Sequence, residues 1–173
     1  MTTSPEVLTE ALSRFASGVT VVTTRDATGK AHGYTATAFS AVSLDPPLIL
    51  SCLSRSASCF PVFAAAKSFC VNVLSTDDEG LARHFATKMA DKFLAHDFAP
   101  GYCEMPSVTS ALAVFGCDVE TAHPAGDHVV IIGRVRAVTL TQGNPLLYYR
   151  RKFQGLPAST DGARTPATPA HAS

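Results

Sequence analysis

The chain has 173 residues, enough for one domain with a substantial core. Lysine plus arginine balances aspartate plus glutamate at 14 each, which argues against a nucleic-acid surface, since that would show as a basic face or a high pI. The five cysteines form no C-x-x-C pair, Met1 opens no charged-then-apolar leader, and no apolar run is long enough to span a bilayer; reduced thiols in a cytoplasmic protein are expected.

In chain order, Ser4-Pro5-Glu6-Val7 reads as a capped helix start, with Pro5 in the first turn and Glu6 favouring the helix dipole. Val7, Leu8, Leu12 and Phe15 form an apolar stripe at helical spacing, and Gly18 reads as the stop. Val19 to Thr24 is β-branched throughout and predicts a strand; Asp26-Ala27-Thr28-Gly29 predicts a hairpin turn, and Lys30 to Thr37 the return strand.

The stretch Gly33 to Leu53, GYTATAFSAVSLDPPLILSCL, organises the rest. Its first half interleaves hydroxyls with small residues (Thr35, Ala36, Thr37, Ala38, then Phe39 and Ser40) and reads as a strand edge offering polar groups to a ligand. Pro46-Pro47 makes a stiff turn, and Leu48 to Leu53 reads as a buried strand. Ser54 to Ser58 is a polar loop leading to a short helix that ends near Phe63 to Ala66. Ser68 to Leu74 predicts a strand, and Asp77-Asp78-Glu79 the acidic head of a helix carrying Leu81, Ala82 and Phe85.

Met89 to Phe93 reads as a second short segment, and Phe98 to Pro106 as irregular chain turning at Pro100-Gly101. Two long strands follow, Ala111 to Thr121 and Val129 to Leu140, joined through a turn at Ala125-Gly126-Asp127. Asn144-Pro145 breaks the chain, and Leu146 to Arg151 closes the folded part, placing one domain over residues 1–156. Residues 157–173, rich in Pro, Ala, Ser and Thr, read as a disordered tail. Strands in hairpin-like succession predict a mainly β protein, an antiparallel barrel with peripheral helices; the absence of G-x-G-x-x-G agrees.

Most catalytic templates find no support. His84 and His96 lack metal-helix spacing and read as solvated; no metal site is expected, no nucleophile elbow is present, and the cysteines read as buried thiols without a neighbouring base. What remains is a set of hydroxyls (Thr35 to Ser40, Ser51, Ser54, Ser56) with the cations Arg55, Lys88 and Lys92. Short hydroxyls and cations suit a phosphate and a polyol; an ordinary polar loop accounts for them equally well. Gly126-Asp127-His128 either aims a histidine into a pocket at a barrel rim or is a plain capping turn.

The runs RFASGVTVVTT, GYTATAFSAVSLDPPLILSCLSRSAS, FCVNVL, LARHFATKMADKF, GDHVVIIGRV and PLLYYRRKF, in this order over about residues 8–156, resemble the short-chain flavin reductase family, closest to the flavin:NADH reductases of aromatic polyketide pathways. The resemblance implies an FMN-binding split barrel of Greek-key topology, a homodimer, and reduction of FMN, or FAD, with NADH for release to a partner monooxygenase. A flavin- or haem-binding barrel without turnover is the alternative. By position it implies a flavin site on Thr35, Ala36, Thr37, Ala38, Phe39, Ser40, Ser51, Cys52, Leu53, Ser56, Ser58, Phe85, Lys92 and Phe93, and a nicotinamide side on His128, as the catalytic position, with Tyr148, Tyr149, Arg150 and Arg151. Many relatives carry Asn or Ser where this chain has Thr37, which keeps a hydroxyl but no amide.

Overall fold

The computed structural model describes residues 4–88 and 92–156; the expected tail at 157–173 and the Met89-Ala90-Asp91 part of the predicted short segment lie outside the described residues. Helix α1 (Pro5–Ser13) is capped as expected, Ser4 Oγ accepting from the Val7 N–H. Strands β1 (Ser17–Gly18), β2 (Thr20–Arg25), β3 (Ala31–Ala36), β4 (Phe39–Leu44) and β5 (Pro47–Ser54) follow, then helix α2 (Phe60–Ala65) and strand β6 (Ser68–Val73). A 3-10 turn at Thr76–Asp78 runs into helix α3 (Glu79–Phe85). Strands β7 (Phe98–Pro100), β8 (Pro106–Val108), β9 (Ala113–Ala125), β10 (His128–Leu140), β11 (Leu147–Tyr149) and β12 (Lys152–Gln154) complete the fold.

The main sheet has seven antiparallel strands in the order β3-β2-β6-β9-β10-β5-β4. Its two terminal strands, β3 and β4, are consecutive in the chain and joined only by Thr37-Ala38. The sheet must therefore curl until its ends meet; the Cys52 N–H donates to the Ala38 carbonyl at 3.1 Å, extending the β4–β5 ladder to the handover. The result is a half-closed antiparallel barrel with helices outside, as the strand-dominated pattern predicts.

Strand β2 is buried on both faces, which its β-branched run suits. Val22 points into the barrel with Tyr34, Ile49, Leu53, Phe69, Val71 and Ile131; Val21 lies on the other face with Leu74, Leu81, Phe85, Val108 and Leu146, beneath α3. Asn72 is fully buried and ties three strands, donating to the Val21 carbonyl at 2.8 Å and accepting from the Val108 N–H at 2.8 Å.

Several expectations need correction. The Phe98–Pro106 region is not irregular: β7 and β8 form a hairpin, too short to leave a periodic pattern. Strand β9 runs on to Ala125, past Pro124; beyond Asp118 it pairs with β10 alone, so a proline missing its N–H is tolerated on the free side. Strand β5 is half-buried, its inward residues being Ile49, Ser51 and Leu53. Leu146 to Arg151 is not a terminal run: Arg150 and Arg151 form the tip between β11 and β12, with φ of 48° and 61°. That is the primed-turn geometry usually filled by Asn and Gly, so composition hides it. The α1 stripe finds no core: Val7, Leu8, Leu12 and Phe15 are 52–76% exposed.

Gly33 lets α3 lie against β3. A Cβ there would sit 2.9 Å from Phe85 Cε1 and 2.9 Å from the Val22 carbonyl oxygen. Since one obstacle is backbone, Gly33→Ala is expected to lower unfolding free energy by about 1–3 kcal/mol in denaturant titration; an unchanged midpoint would mean the α3–β3 contact is not tight.

Candidate functional site

At the seam between β3 and β5 the barrel opens into a cavity of about 330 Å³. One wall is the chain handover itself, Thr35, Ala36, Thr37 and Ala38; the facing wall is the end of β5, Cys52, Leu53 and Ser54. The Ser54–Ser58 turn closes one side, the C-terminal end of α3 with Phe85, Lys88 and Lys92 closes another, and His128 stands at the rim. Strand register places His128 there, directly opposite Ser54. The Arg55 N–H donates to the Asp127 carbonyl at 2.9 Å and locks the two turns together.

Much of the hydroxyl set is already engaged. Thr35 donates to the Ala82 carbonyl at 2.7 Å, fastening β3 to α3 and leaving its oxygen as an acceptor. The Ser54 and Ser56 hydroxyls bond each other at 2.9 Å. The Lys92 ammonium is nearly enclosed, with the residue 8% exposed; it donates to the Phe85 carbonyl at 2.9 Å and the Gly33 carbonyl at 3.4 Å. Burial lowers its pKa, and no carboxylate pairs with it among the described residues. A desolvated cation that meets carbonyl dipoles and the Phe85 ring, with no carboxylate partner among the described residues, gains from an anion.

His128 donates from Nδ1 to Asp127 Oδ1 at 2.8 Å, since a carboxylate can only accept; Nε2 is left for another partner. That hydrogen bond holds the Asp127 carboxyl below its usual range. The Asp127 carboxylate thus orients the ring and also accepts a backbone N–H within the turn.

Other expected site residues lie elsewhere. Ser51 is fully buried inside the barrel, its hydroxyl 3.1 Å from that of Tyr34. Phe39 packs on Phe115, and the exposed Ser40 donates to the Ala41 carbonyl. Strand alternation explains the split: Cys52 lines the cavity, whereas its neighbour Ser51 points inward. Phe93 lines an adjoining hollow. Tyr148 and Arg151 line a groove of about 380 Å³ that shares Thr35, Thr37 and Ala86 with the cavity and adds Arg83 and Phe153. Arg150 instead stacks over Tyr149, 5.5 Å from its centroid, and its N–H holds the Ser13 carbonyl.

The sequence reading missed Tyr34, Ala57, Cys59 and Ala86 of the cavity wall, and Arg83 and Phe153 of the groove. Arg83 is tied to Glu79 at 2.7 Å with its guanidinium 4.9 Å from the Phe153 centroid; the i,i+4 charge pair was legible, the ring was not. His84 and His96 are half-buried rather than solvated: His84 Nδ1 lies 3.2 Å from His96 Nε2, in an aromatic cluster with Phe85, and the buried His84 Nε2 has no hydrogen-bond partner among the described residues. Of the cysteines, Cys59, Cys70 and Cys117 are buried, Cys52 is half-buried, and Cys103 is exposed, against expectation. Burial pushes the Cys52 and Cys59 thiols up, so neither is a ready thiolate. No cluster of metal-ligating side chains occurs among the described residues.

Residues 12–157 match the family described as flavin reductase like domain. The chain belongs to that family. It is 42% identical to a Streptomyces coelicolor protein named actinorhodin polyketide dimerase, over 96% of each chain. It is 38% identical to the NADH:riboflavin 5'-phosphate oxidoreductase of Streptomyces pristinaespiralis, over 96% of this chain and 92% of that one. Other flavin reductase relatives carry the name reductase subunit of a flavin-dependent monooxygenase. Among solved structures, the Streptomyces globisporus NADH:FAD oxidoreductase, in complex with NAD and FAD fragments, superposes with a TM-score of 0.86 at 30% identity, covering 93% of this chain and 99% of that one.

Because burial lowers the Lys92 pKa, the unfolded chain binds more protons between that value and the ordinary lysine value near 10.4, so stability contributed by this site rises with pH in that window. The unfolding free energy of wild type relative to Lys92→Met should increase as pH is raised from neutrality towards about 10. A difference that stays flat, or falls, would show that Lys92 is not desolvated.

Proposed function

We propose that this chain is an NADH-dependent flavin reductase that binds FMN, or FAD, at the barrel seam and releases the reduced flavin to a separate monooxygenase. The observation that carries the reading is the cavity's composition: hydroxyls and two lysines at one end, small and apolar walls between, and an oriented histidine at the rim. A flavin has the same polarity along its length, from phosphate through polyol to a flat ring. The donor set therefore fits it.

Ser56 and Ser58, with Lys88 and the buried Lys92, would hold the phosphate; charge-assisted bonds to an ammonium already stripped of water are strong. Ala36, Ala38, Cys52 and Leu53 leave room for a flat ring, with Phe85 as a side wall. Thr35 and Thr37 present oxygens towards the polyol or ring edge. Phe39, Ser40 and Ser51 are left out; the first packs the barrel, and Ser51 supports the wall through Tyr34. The Cys52 N–H, spent on Ala38, is likewise unavailable to a ligand.

The dihydronicotinamide supplies a hydride and the flavin ring accepts it; the protein's part is to stack and position the two. His128, held by Asp127, would orient the nicotinamide through Nε2, and the groove with Tyr148 and Arg151 would receive the rest of the dinucleotide. No acid–base pair is needed. The exposed α1 stripe supports a homodimer in which a second copy covers Val7, Leu8, Leu12 and Phe15. Likeness to the actinorhodin protein supports a role in aromatic polyketide assembly, and the free thiols support a cytoplasmic setting.

Mixing the protein with NADH and FMN should consume the nicotinamide absorbance band; no consumption with either flavin would end the proposal. His128→Ala should raise the NADH KM roughly tenfold, a loss of about 1.4 kcal/mol, with flavin affinity kept. Unchanged NADH kinetics would remove His128 from the site.

A further inference from the structure

Lys92 is carried by neither a helix nor a strand: residues 92–97 lie between α3 and β7. The return leg of that stretch is tied to α3 by the 3.2 Å contact between His96 Nε2 and His84 Nδ1. We propose that this histidine pair is the anchor that aims Lys92 at the flavin phosphate, which makes His84 and His96 positioning residues for the phosphate end of the site. The proposal rests on the flavin reading of the seam cavity.

A lysine ammonium has three N–H donors. In Lys92 two of them point at carbonyls, that of Phe85 at 2.9 Å and that of Gly33 at 3.4 Å, and the third is left for the phosphate. Its direction follows from the other two and from where the loop holds the lysine backbone, since the four-carbon stem is itself flexible. The bond to Gly33 is long, so a small shift of the loop breaks it. An arriving phosphate also competes with the carbonyls for the ammonium, and a loop held by the lysine alone would follow the ligand. An anchor separate from the lysine keeps the aim fixed before and after the ligand arrives.

Packing fixes only the two ends of the stretch. Phe93 stands edge-on to Phe85 at 5.0 Å and lies 4.8 Å from Phe98. The tip between them adds nothing to that packing, Leu94 being 87% exposed and Ala95 exposed as well. The histidine contact fills the gap. Two ring nitrogens at 3.2 Å need one proton between them, so one imidazole donates and the other accepts. The rings meet at 63° with centroids 5.2 Å apart, beside the Phe85 ring. His84 Nε2 is buried with no hydrogen-bond partner among the described residues, a cost that a phenyl ring at position 84 would avoid. What the histidine adds there is the bond from Nδ1, and that bond holds the loop that carries the cation.

The test is a titration of the whole chain with FMN and with riboflavin, which lacks the phosphate, followed by flavin fluorescence without NADH. His96→Phe keeps a ring in the cluster and deletes the bond; His96→Gln gives up the ring and keeps an amide where Nε2 stood. His84→Asn does the same for Nδ1. The expected result is that His96→Phe weakens FMN roughly fivefold, the scale of one hydrogen bond, and leaves riboflavin within about twofold. His96→Gln and His84→Asn should stay within about twofold of wild type for both ligands. In a Lys92→Met background, His96→Phe should shift FMN affinity by less than about twofold, because the group through which the pair acts is gone. Circular dichroism reports that each variant is folded. Equal losses of FMN and riboflavin in His96→Phe, or none, would overturn the proposal while leaving the flavin reading intact. So would a loss in His96→Gln as large as in His96→Phe, or the full loss persisting in the Lys92→Met background. A wild-type chain that binds neither ligand would bring down the underlying reading and this proposal with it.

Discussion

The closure of the sheet on itself is the constraint from which the rest follows. Seven strands lie side by side, and the two at the ends are joined by only Thr37 and Ala38. Two residues can span adjacent strands but cannot pair with both partners at once. Strand β3 therefore spends its backbone hydrogen bonds on β2 and β4 spends its own on β5; the bond from Cys52 to Ala38 carries the β4–β5 ladder up to the handover, and the Tyr34 and Ser51 hydroxyls meet across the gap between β3 and β5. A barrel closed this way has a permanent gap where its backbone changes sides, and the cavity is that gap.

Helix α3 closes the gap from outside, and its contact with the barrel sets the electrostatics of the site. Gly33 admits Phe85; Thr35 fastens Ala82; Lys92 then joins the last carbonyl of the helix, that of Phe85, to the Gly33 carbonyl. A cation at a helix C-terminus is favoured by the helix dipole, which offsets part of the cost of burying it. The same packing that stabilises α3 thus delivers a desolvated ammonium to the cavity wall.

The strand order of events was legible because β-branched runs and single-glycine turns punctuate this chain clearly; β2, β6 and the β9–β10 hairpin lie close to where the pattern put them. Short pairings were not legible. Strands β7, β8, β11 and β12 have three residues each, below the length at which a two-residue period can be seen. Within the candidate site, the run Thr35 to Ala38 was found through its composition, whereas the inward turn of the Ser51 side chain follows from strand alternation, which resemblance by position does not convey. Cys59 and Ala86 carry no chemical signal, and only the fold brings them to the wall.

Under the flavin reading, the internal commitments of the hydroxyls acquire a meaning. A protein that keeps its cofactor aims free donors at it; here Thr35 donates to Ala82, Ser54 and Ser56 bond each other, and the Cys52 N–H is spent on Ala38. The ligand would meet its donors at the phosphate end, the Ser56 and Ser58 hydroxyls with two lysines, so its affinity rests there and the ring is held chiefly by shape. Reduction changes the ring and leaves the phosphate as it was. A site that grips the unreacting end and only places the reacting one binds oxidised and reduced forms nearly alike, which is what a reductase needs if its flavin is to leave as a product.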